Sequence, residues 1–135
     1  MTTVAMNNYS KQIKNARRPQ AKKQQRAVSV GEALLARQLD AMKILYTKEF
    51  QFHPERKWRA DFRIDGYPIL IEVEGGVWSQ GRHTRGKGFE GDCQKYNQAA
   101  ILGYHVLKGS TQQVKSGRLL RDIENLIKAL DQKVA

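Results

Sequence analysis

Apolar residues along the chain follow two spacings, one typical of helices and one typical of strands. Five apolar residues at helical spacing predict a helix over residues 30–45: Leu34, Leu35, Leu39, Met42 and Leu45. Ser29 and Glu32 fit the Ser-x-x-Glu capping box that opens many helices. A similar stripe predicts a last helix over residues 118–133: Leu119, Leu120, Ile123, Leu126, Ile127 and Leu130.

Alternation of apolar and polar residues follows the first helix and indicates a strand within residues 46–64. It is clearest through four residues: Trp58, Ala60, Phe62 and Ile64. Asp65 and Gly66 form a dipeptide that strongly favours a hairpin turn, so "YPILIEVEGG" is predicted to be the returning strand.

The second half of the chain continues with a glycine-rich basic loop. A helix is predicted from Asp92, a suitable N-cap, to Gly103, and "YHVLK" is predicted to be a short strand. The resulting order of helix, strand, strand, helix, strand and helix indicates an α/β domain with a central mixed sheet flanked by helices. We assign residues 29–135 to this domain and residues 1–28 to a flexible arm.

The returning strand carries two glutamates, Glu72 and Glu74, between β-branched residues. With a two-residue turn, paired positions place Asp61 on the same face as both glutamates, diagonal to Glu72. A four-residue loop keeps this parity, whereas an odd loop destroys it. The opposite face is predicted to be core and consists of Ala60, Phe62, Ile69, Ile71 and Val73.

Charge makes this acidic patch unusual, because the chain has a net charge of +11 and a pI near 10.0. The first 31 residues contain seven basic residues and no acidic one, which favours binding to a polyanion. We therefore expect the arm to bind nucleic-acid phosphates through Arg17, Arg18, Lys22 and Lys23. A solubilising or ribosome-associated tail is the alternative.

Other classes of protein are disfavoured by composition. No apolar run approaches the roughly 20 residues that cross a bilayer, so no membrane partner is expected. Cys93 is the single cysteine, which excludes an intramolecular disulfide and favours a reducing, cytoplasmic setting.

Three carboxylates on one patch need a positive charge nearby. Mg²⁺ prefers oxygen ligands and commonly takes one or two carboxylates together with substrate phosphate. The alternative is a pair of structural ion pairs, in which Arg59 neutralises Glu72 and Lys57 neutralises Glu74. The basic loop and arm favour the metal.

Three segments, in the order "RKWRADF", "IEVEGGVW" and "DCQKYNQAAILGYHVLK" along the chain, resemble the motifs of the PD-(D/E)xK nuclease superfamily. They are most similar to its small branch related to the very-short-patch-repair endonucleases and to short phage-type nucleases. The resemblance covers about residues 30–110. It implies a restriction-endonuclease-like fold and Mg²⁺-dependent cleavage of DNA, with Mn²⁺ as a substitute, in a bacterial or phage-infected cell.

Metal ligands are carried over from the resemblance by position. Asp61 matches the family's aspartate, Glu72 matches its acidic ligand, and Val73 would offer a backbone carbonyl. Glu74 stands where most members have lysine, so it would orient water or bind a second metal. Glu32 resembles a first-helix glutamate that reaches this site in many members, and helix capping is its alternative role.

The missing lysine leaves a need for another cation near the attacked phosphate. Lys95 is the candidate, with a solvated helix face as the alternative. His83 would act near the scissile phosphate, and phosphate contacts are expected from Arg82, Arg85 and Lys87.

Two other functions remain open from the sequence. One is a structure-selective nuclease of the same superfamily, such as a Holliday-junction resolvase, acting as a homodimer. The other is a non-catalytic nucleic-acid-binding module whose carboxylates are only structural.

Overall fold

A four-stranded mixed sheet with helices on both faces forms the body of the protein in a computed structural model, which describes residues 29–75 and 87–134. The elements in chain order are α1 (Val30–Ala41), β1 (Tyr46–Gln51), β2 (Arg59–Ile64), β3 (Ile69–Glu74), α2 (Lys87–Ile101), β4 (His105–Ser110), α3 (Thr111–Lys115) and α4 (Arg118–Val134). The predicted fold class, a single α/β domain with a central mixed sheet, is confirmed.

The strands lie in the order β1, β2, β3, β4. The first three are antiparallel neighbours, whereas β3 and β4 are parallel, so α2 crosses over between them. Strand β1 was not predicted as a separate element, because residues 46–64 alternate almost continuously. In the structure the stretch divides into two strands, and residues 52–58 connect them.

The turn between β2 and β3 is longer than the two residues predicted. Ile64 pairs with Ile69, and Phe62 pairs with Ile71, so four residues intervene. Gly66 has a φ of +82°, which glycine adopts without steric cost. The partner of each β2 residue is therefore displaced by two positions, and because the displacement is even, the predicted parity of the faces is kept.

Two apolar clusters stabilise the sheet. The larger joins the sheet to α1, α3 and α4 and is built on eleven buried side chains: Leu35, Ala36, Leu39, Phe62, Ile64, Ile69, Ile71, Val73, Val114, Leu119 and Ile123. The smaller lies under α2 and contains Phe52, Ala60, Leu70 and Ala99. Each large side chain buried in this way contributes roughly 1.5–3 kcal/mol. All five residues predicted for the core face are buried, but Ala60 lies in the smaller cluster and the other four lie in the larger one.

The helix boundaries differ from the predictions, most of all for α2, which runs from Lys87 to Ile101, so that Asp92, the predicted N-cap, lies inside the helix. Helix α1 ends at Ala41, because Lys43 takes a φ of +57° and the amide of Ile44 turns back to the carbonyl of Leu39. Helix α4 runs as predicted to within a residue, but the short α3 was not predicted. Among the helices that the structure describes, none combines the length and apolar composition needed to cross a membrane.

Candidate metal centre

The N-terminus of α1 lies against the end of β3. Ser29 caps the helix as predicted, because its hydroxyl accepts a hydrogen bond of 3.1 Å from the amide of Glu32. A Cβ atom on Gly31 would lie 2.8 Å from Val73 Cγ1 and 2.9 Å from Thr111 Oγ1. Glycine at this position therefore permits the close approach that brings Glu32 to the sheet.

Asp61 in β2 faces the same region. Its Oδ2 accepts a hydrogen bond of 2.8 Å from the backbone amide of Val73 in β3. One step beyond the Phe62–Ile71 pair, the register brings Asp61 opposite Glu72. The Val73 amide thus fixes the orientation of the Asp61 carboxylate at the point where the two strands separate.

Glu49 in β1 is the third carboxylate at this place, and no sequence pattern had indicated it. Its φ of +50° is rare for a residue with a side chain and costs about 1–2 kcal/mol. The alternation of β1 breaks there. Tyr46 packs against Phe62 in the larger cluster, with ring centroids 5.5 Å apart, whereas Phe50 packs against Tyr104 in the smaller one, with ring centroids 6.3 Å apart.

Glu32, Glu49 and Asp61 converge: one ligand oxygen of each lies within 4.8 Å of the others. Burial raises the pKa of Glu32, and the charges of Asp61 and Glu49 raise it further. Burial also raises the pKa of Asp61, although the Val73 amide opposes this effect; the charges of Glu72 and Glu49 add to it. Two of the three carboxylates are therefore held where their charged forms are disfavoured.

Glu72 lies next to this group and has a different environment. It is 8% exposed, and its Oε1 forms an ion pair with the ammonium of Lys95 from α2. Its Oε2 accepts a hydrogen bond of 2.5 Å from the hydroxyl of Tyr96. Burial and the bond to Glu72 raise the pKa of Tyr96, which keeps the phenol protonated as a donor.

The structure therefore brings together most of the predicted catalytic set that it describes: Glu32, Asp61, Glu72 and Lys95. Glu74 is exposed at the end of β3, where it pairs in register with Ser110 of β4. Among the described residues, the ion pair of Glu72 is with Lys95 and not with Arg59, because the register differs by two from the one expected. The sequence missed Glu49 and Tyr96.

Several predicted residues fall outside the described part of the chain. These are the arm residues Arg17, Arg18, Lys22 and Lys23, the loop residues Arg82, His83 and Arg85, and the side chain of Lys87, whose backbone begins α2. Their predicted roles stay predictions.

The donor set of the cluster fits a hard divalent cation. It consists of three carboxylates from three different elements, and oxygen ligands of this kind suit Mg²⁺ or Mn²⁺. Binding a cation would also remove the mutual repulsion that raises the pKa of Glu32 and Asp61.

No family model matches the chain, and a search of curated proteins gives no match. Among solved structures, the chain is similar to the catalytic domain of the homing endonuclease I-Bth0305I. The alignment has 24% identity and a TM-score of 0.47, and it covers 78% of this chain and 93% of that one. A similarity of this extent assigns no activity to the protein.

Proposed function

We propose that the protein is a metal-dependent DNA endonuclease that hydrolyses phosphodiester bonds. The observation that carries the proposal is the convergence of three carboxylates in a chain whose net charge is +11. A strongly basic protein has ample cations with which to neutralise its acids, yet this group lies together without a Lys or Arg within ion-pair distance in the described residues. An external cation is the simplest partner for it.

Glu32, Glu49 and Asp61 would hold the metal, which would be Mg²⁺ or Mn²⁺. When bound, such an ion polarises a phosphoryl oxygen and lowers the pKa of a water ligand. The amide of Val73 holds the Asp61 carboxylate through one of its oxygens, so its orientation is set before a cation binds. This assignment places Glu49 in a role that the sequence had given to Glu72 and to the carbonyl of Val73.

Lys95 would stabilise the negative charge that develops on the phosphate in the transition state. The side chain of Lys95 is 18% exposed, and Glu72 holds its ammonium by an ion pair. The ammonium is therefore fixed in place before substrate arrives. Tyr96 fixes Glu72 in turn through its hydroxyl. Glu74 and His83 stay candidates for orienting water and for acting near the leaving group.

DNA is the substrate that the charge favours, because each phosphate contact from Lys or Arg releases counterions. The decisive test is a cleavage panel with linear duplex, mismatched duplex, single strand, flap and four-way junction. Each substrate is incubated with Mg²⁺, with Mn²⁺ and with EDTA. Cleavage that requires the metal supports the proposal, and a protein that binds DNA but cuts none of these substrates would make the binding module the better description.

Thermal unfolding gives a second test that does not need a substrate. A ligand at 100 times its Kd stabilises the folded state by about 2.7 kcal/mol, so Mg²⁺ or Mn²⁺ should raise the Tm of the wild type. Glu49→Gln should lose this response, because it removes one ligand. Glu124→Gln on α4, a carboxylate remote in sequence from the cluster, is the matched control and should respond as the wild type does.

A further inference from the structure

The connection between β1 and β2 lies at the end of the sheet that carries the acid cluster. Gln51, the last residue of β1, pairs with Arg59, the first residue of β2. Glu49 is two residues before this pair and Asp61 is two residues after it. Residues 52–58 therefore project from the sheet immediately beside the candidate metal centre.

This connection is held in one conformation by hydrogen bonds. The Nδ1 atom of His53 accepts bonds from the amides of Glu55 at 3.1 Å and Arg56 at 2.9 Å. The side-chain amide of Gln51 donates to the carbonyl of Arg56 at 3.1 Å. A segment ordered before binding loses less conformational entropy when it meets a partner.

Aromatic stacking also holds this segment in place. Trp58 stacks on Phe52, with ring centroids 6.3 Å apart and planes inclined by 17°. The guanidinium carbon of Arg56 lies 4.3 Å from the centroid of the Trp58 ring. A guanidinium held close over an aromatic ring is attracted by the ring's electrons and still has N–H groups with which to bind phosphate.

Three cations in and beside this segment are exposed: Arg56 and Lys57 within it, and Arg59 at the start of β2. Glu55 is the only acid between His53 and Arg59. Within the described residues none of the three cations forms an ion pair. Side chains two apart on a strand share a face, so Arg59 lies on the face of Asp61 with its Cα about 7 Å away.

We propose that these three residues, Arg56, Lys57 and Arg59, form a phosphate-binding clamp for the backbone of double-stranded DNA beside the metal centre. The inference rests on the proposed function and adds a surface that holds the substrate strand in register with the site. Contacts to phosphates fix position without reading bases, so the clamp would be independent of sequence. Arg59 would contact a phosphate nearest the cluster, and Arg56 and Lys57 would contact phosphates further along.

A comparison with the surface of α4 shows how the clamp differs from ordinary solvated charge. That helix exposes four cations, Arg118, Arg121, Lys128 and Lys133, but acids are interleaved with them along the helix: Asp122, Glu124 and Asp131. Its local charge is nearly balanced. The helix therefore provides a control in which the same number of positive charges is removed from a different surface.

The test is the salt dependence of DNA binding by the full chain in EDTA, where cleavage does not interfere. The clamp variant carries Arg56→Gln, Lys57→Gln and Arg59→Gln, and the control variant carries Arg121→Gln, Lys128→Gln and Lys133→Gln. Each lost phosphate contact lowers the slope of log affinity against log salt by about 0.9 on duplex DNA. We expect the clamp variant to lose up to about 2.7 from this slope and the control variant to lose less than about 0.9.

Equal slopes for the wild type and the clamp variant would overturn the inference, as would equal losses in the two variants. A clamp variant weakened toward RNA duplex but not toward DNA would overturn it too. Lys57→Gln alone, at an exposed position, should lower the slope by up to about 0.9 and guards against misfolding of the triple variant. The salt slope is measured without metal and does not depend on cleavage. A wild type that never cleaves would refute the proposed function, while the slopes would still decide whether the clamp binds DNA.

Discussion

Two acidic groups lie side by side at one end of the sheet, and they are neutralised in different ways. Glu72 is almost fully buried, and the protein supplies its partners: the ammonium of Lys95 and the hydroxyl of Tyr96. Glu32, Glu49 and Asp61 face one another instead, and burial and mutual repulsion raise the pKa of both Glu32 and Asp61. The first group is complete as it stands, and the second needs an external cation.

The difference follows from the elements that carry the residues. Glu72 points toward α2, and α2 presents Lys95 and Tyr96 from consecutive positions, so one helix satisfies both carboxylate oxygens. The three other acids come from α1, β1 and β2, and the positive charges that lower their pKa values, Lys48 for Glu32 and Lys95 for Asp61, act at longer range. Substitutions in the two groups should therefore have opposite effects on stability.

The largest effect is expected from Asp61→Asn. This change removes a metal ligand but keeps an oxygen that can accept the Val73 amide, so it is preferable to alanine. We expect cleavage to fall by about 10³-fold, which corresponds to ~4 kcal/mol of transition-state stabilisation. The free energy of unfolding without metal should be unchanged or higher, because a repelling charge is gone.

Single-turnover cleavage rates and urea unfolding measure these two quantities. Asp122→Asn on α4 is the matched control, since it makes the same chemical change in an exposed acid of another element. Cleavage by Asp61→Asn at the wild-type rate would contradict the metal assignment. A large loss of stability without metal would contradict the account of the three acids as a repelling group.

The second effect belongs to the other group. Lys95→Met should lower cleavage by about 10²-fold, or ~2.7 kcal/mol. It should also destabilise the fold, because it leaves the buried Glu72 without its cation. This opposite sign of the stability effect separates Lys95 from Asp61.

A double variant, Lys95→Met with Glu72→Gln, distinguishes structure from catalysis. Neutralising Glu72 should restore much of the lost stability, but cleavage should stay low if the ammonium acts on the phosphate. Recovery of cleavage together with stability would show that Lys95 only neutralises Glu72. Arginine at position 95 should rescue cleavage in part, because a guanidinium differs in shape from an ammonium.

From the sequence, Glu72 and Lys95 of the first group were singled out, but not as a pair and without Tyr96; Glu32 and Asp61 of the second were singled out without Glu49. Alternation within the hairpin was sufficient to place Asp61 and Glu72 on one face, since an error of two in the register preserves parity. Lys95 was found because a helix after the basic loop had to cross the sheet near the strand ends. Tyr96 follows from the same placement but resembles an ordinary aromatic residue of a helix.

Glu49 could not be predicted, for a physical reason. Strand β1 was not separated from β2 in the sequence pattern, so Glu49 had no predicted partner, although the flanking pairs Lys48–Phe62 and Phe50–Ala60 place it opposite Asp61. Its φ of +50° adds a break in the alternation at that residue. Nothing in "YTKEFQ" marks a residue with positive φ, because glycine and asparagine are absent there. A strained residue of this kind is a signal that only the structure provides.

The strain at Glu49 gives the third prediction. Glu49→Gly and Glu49→Gln both remove the carboxylate, and both should lose the stabilisation by Mg²⁺. Glycine adopts positive φ freely, so Glu49→Gly should be more stable than Glu49→Gln by about 1 kcal/mol, measured by urea unfolding in EDTA. The usual order for a strand, with glycine the less stable variant, would contradict the strained conformation.

The smallest effect is a dependence of stability on pH. Without metal, the pKa values of Glu32 and Asp61 lie above their ordinary values of 4.5 and 3.8, so between the ordinary and raised values the folded state binds more protons than the unfolded state. The contribution of these groups to the free energy of unfolding therefore decreases as pH rises through that window, and is constant above it. Urea unfolding in EDTA from about pH 4 to 8 should show a smaller decrease for Asp61→Asn than for the wild type. Mg²⁺ binds the ionised carboxylates and should remove the fall in the free energy of unfolding with rising pH in the wild type alone. Identical pH curves for the two proteins, with and without Mg²⁺, would mean that the three acids do not act as one group.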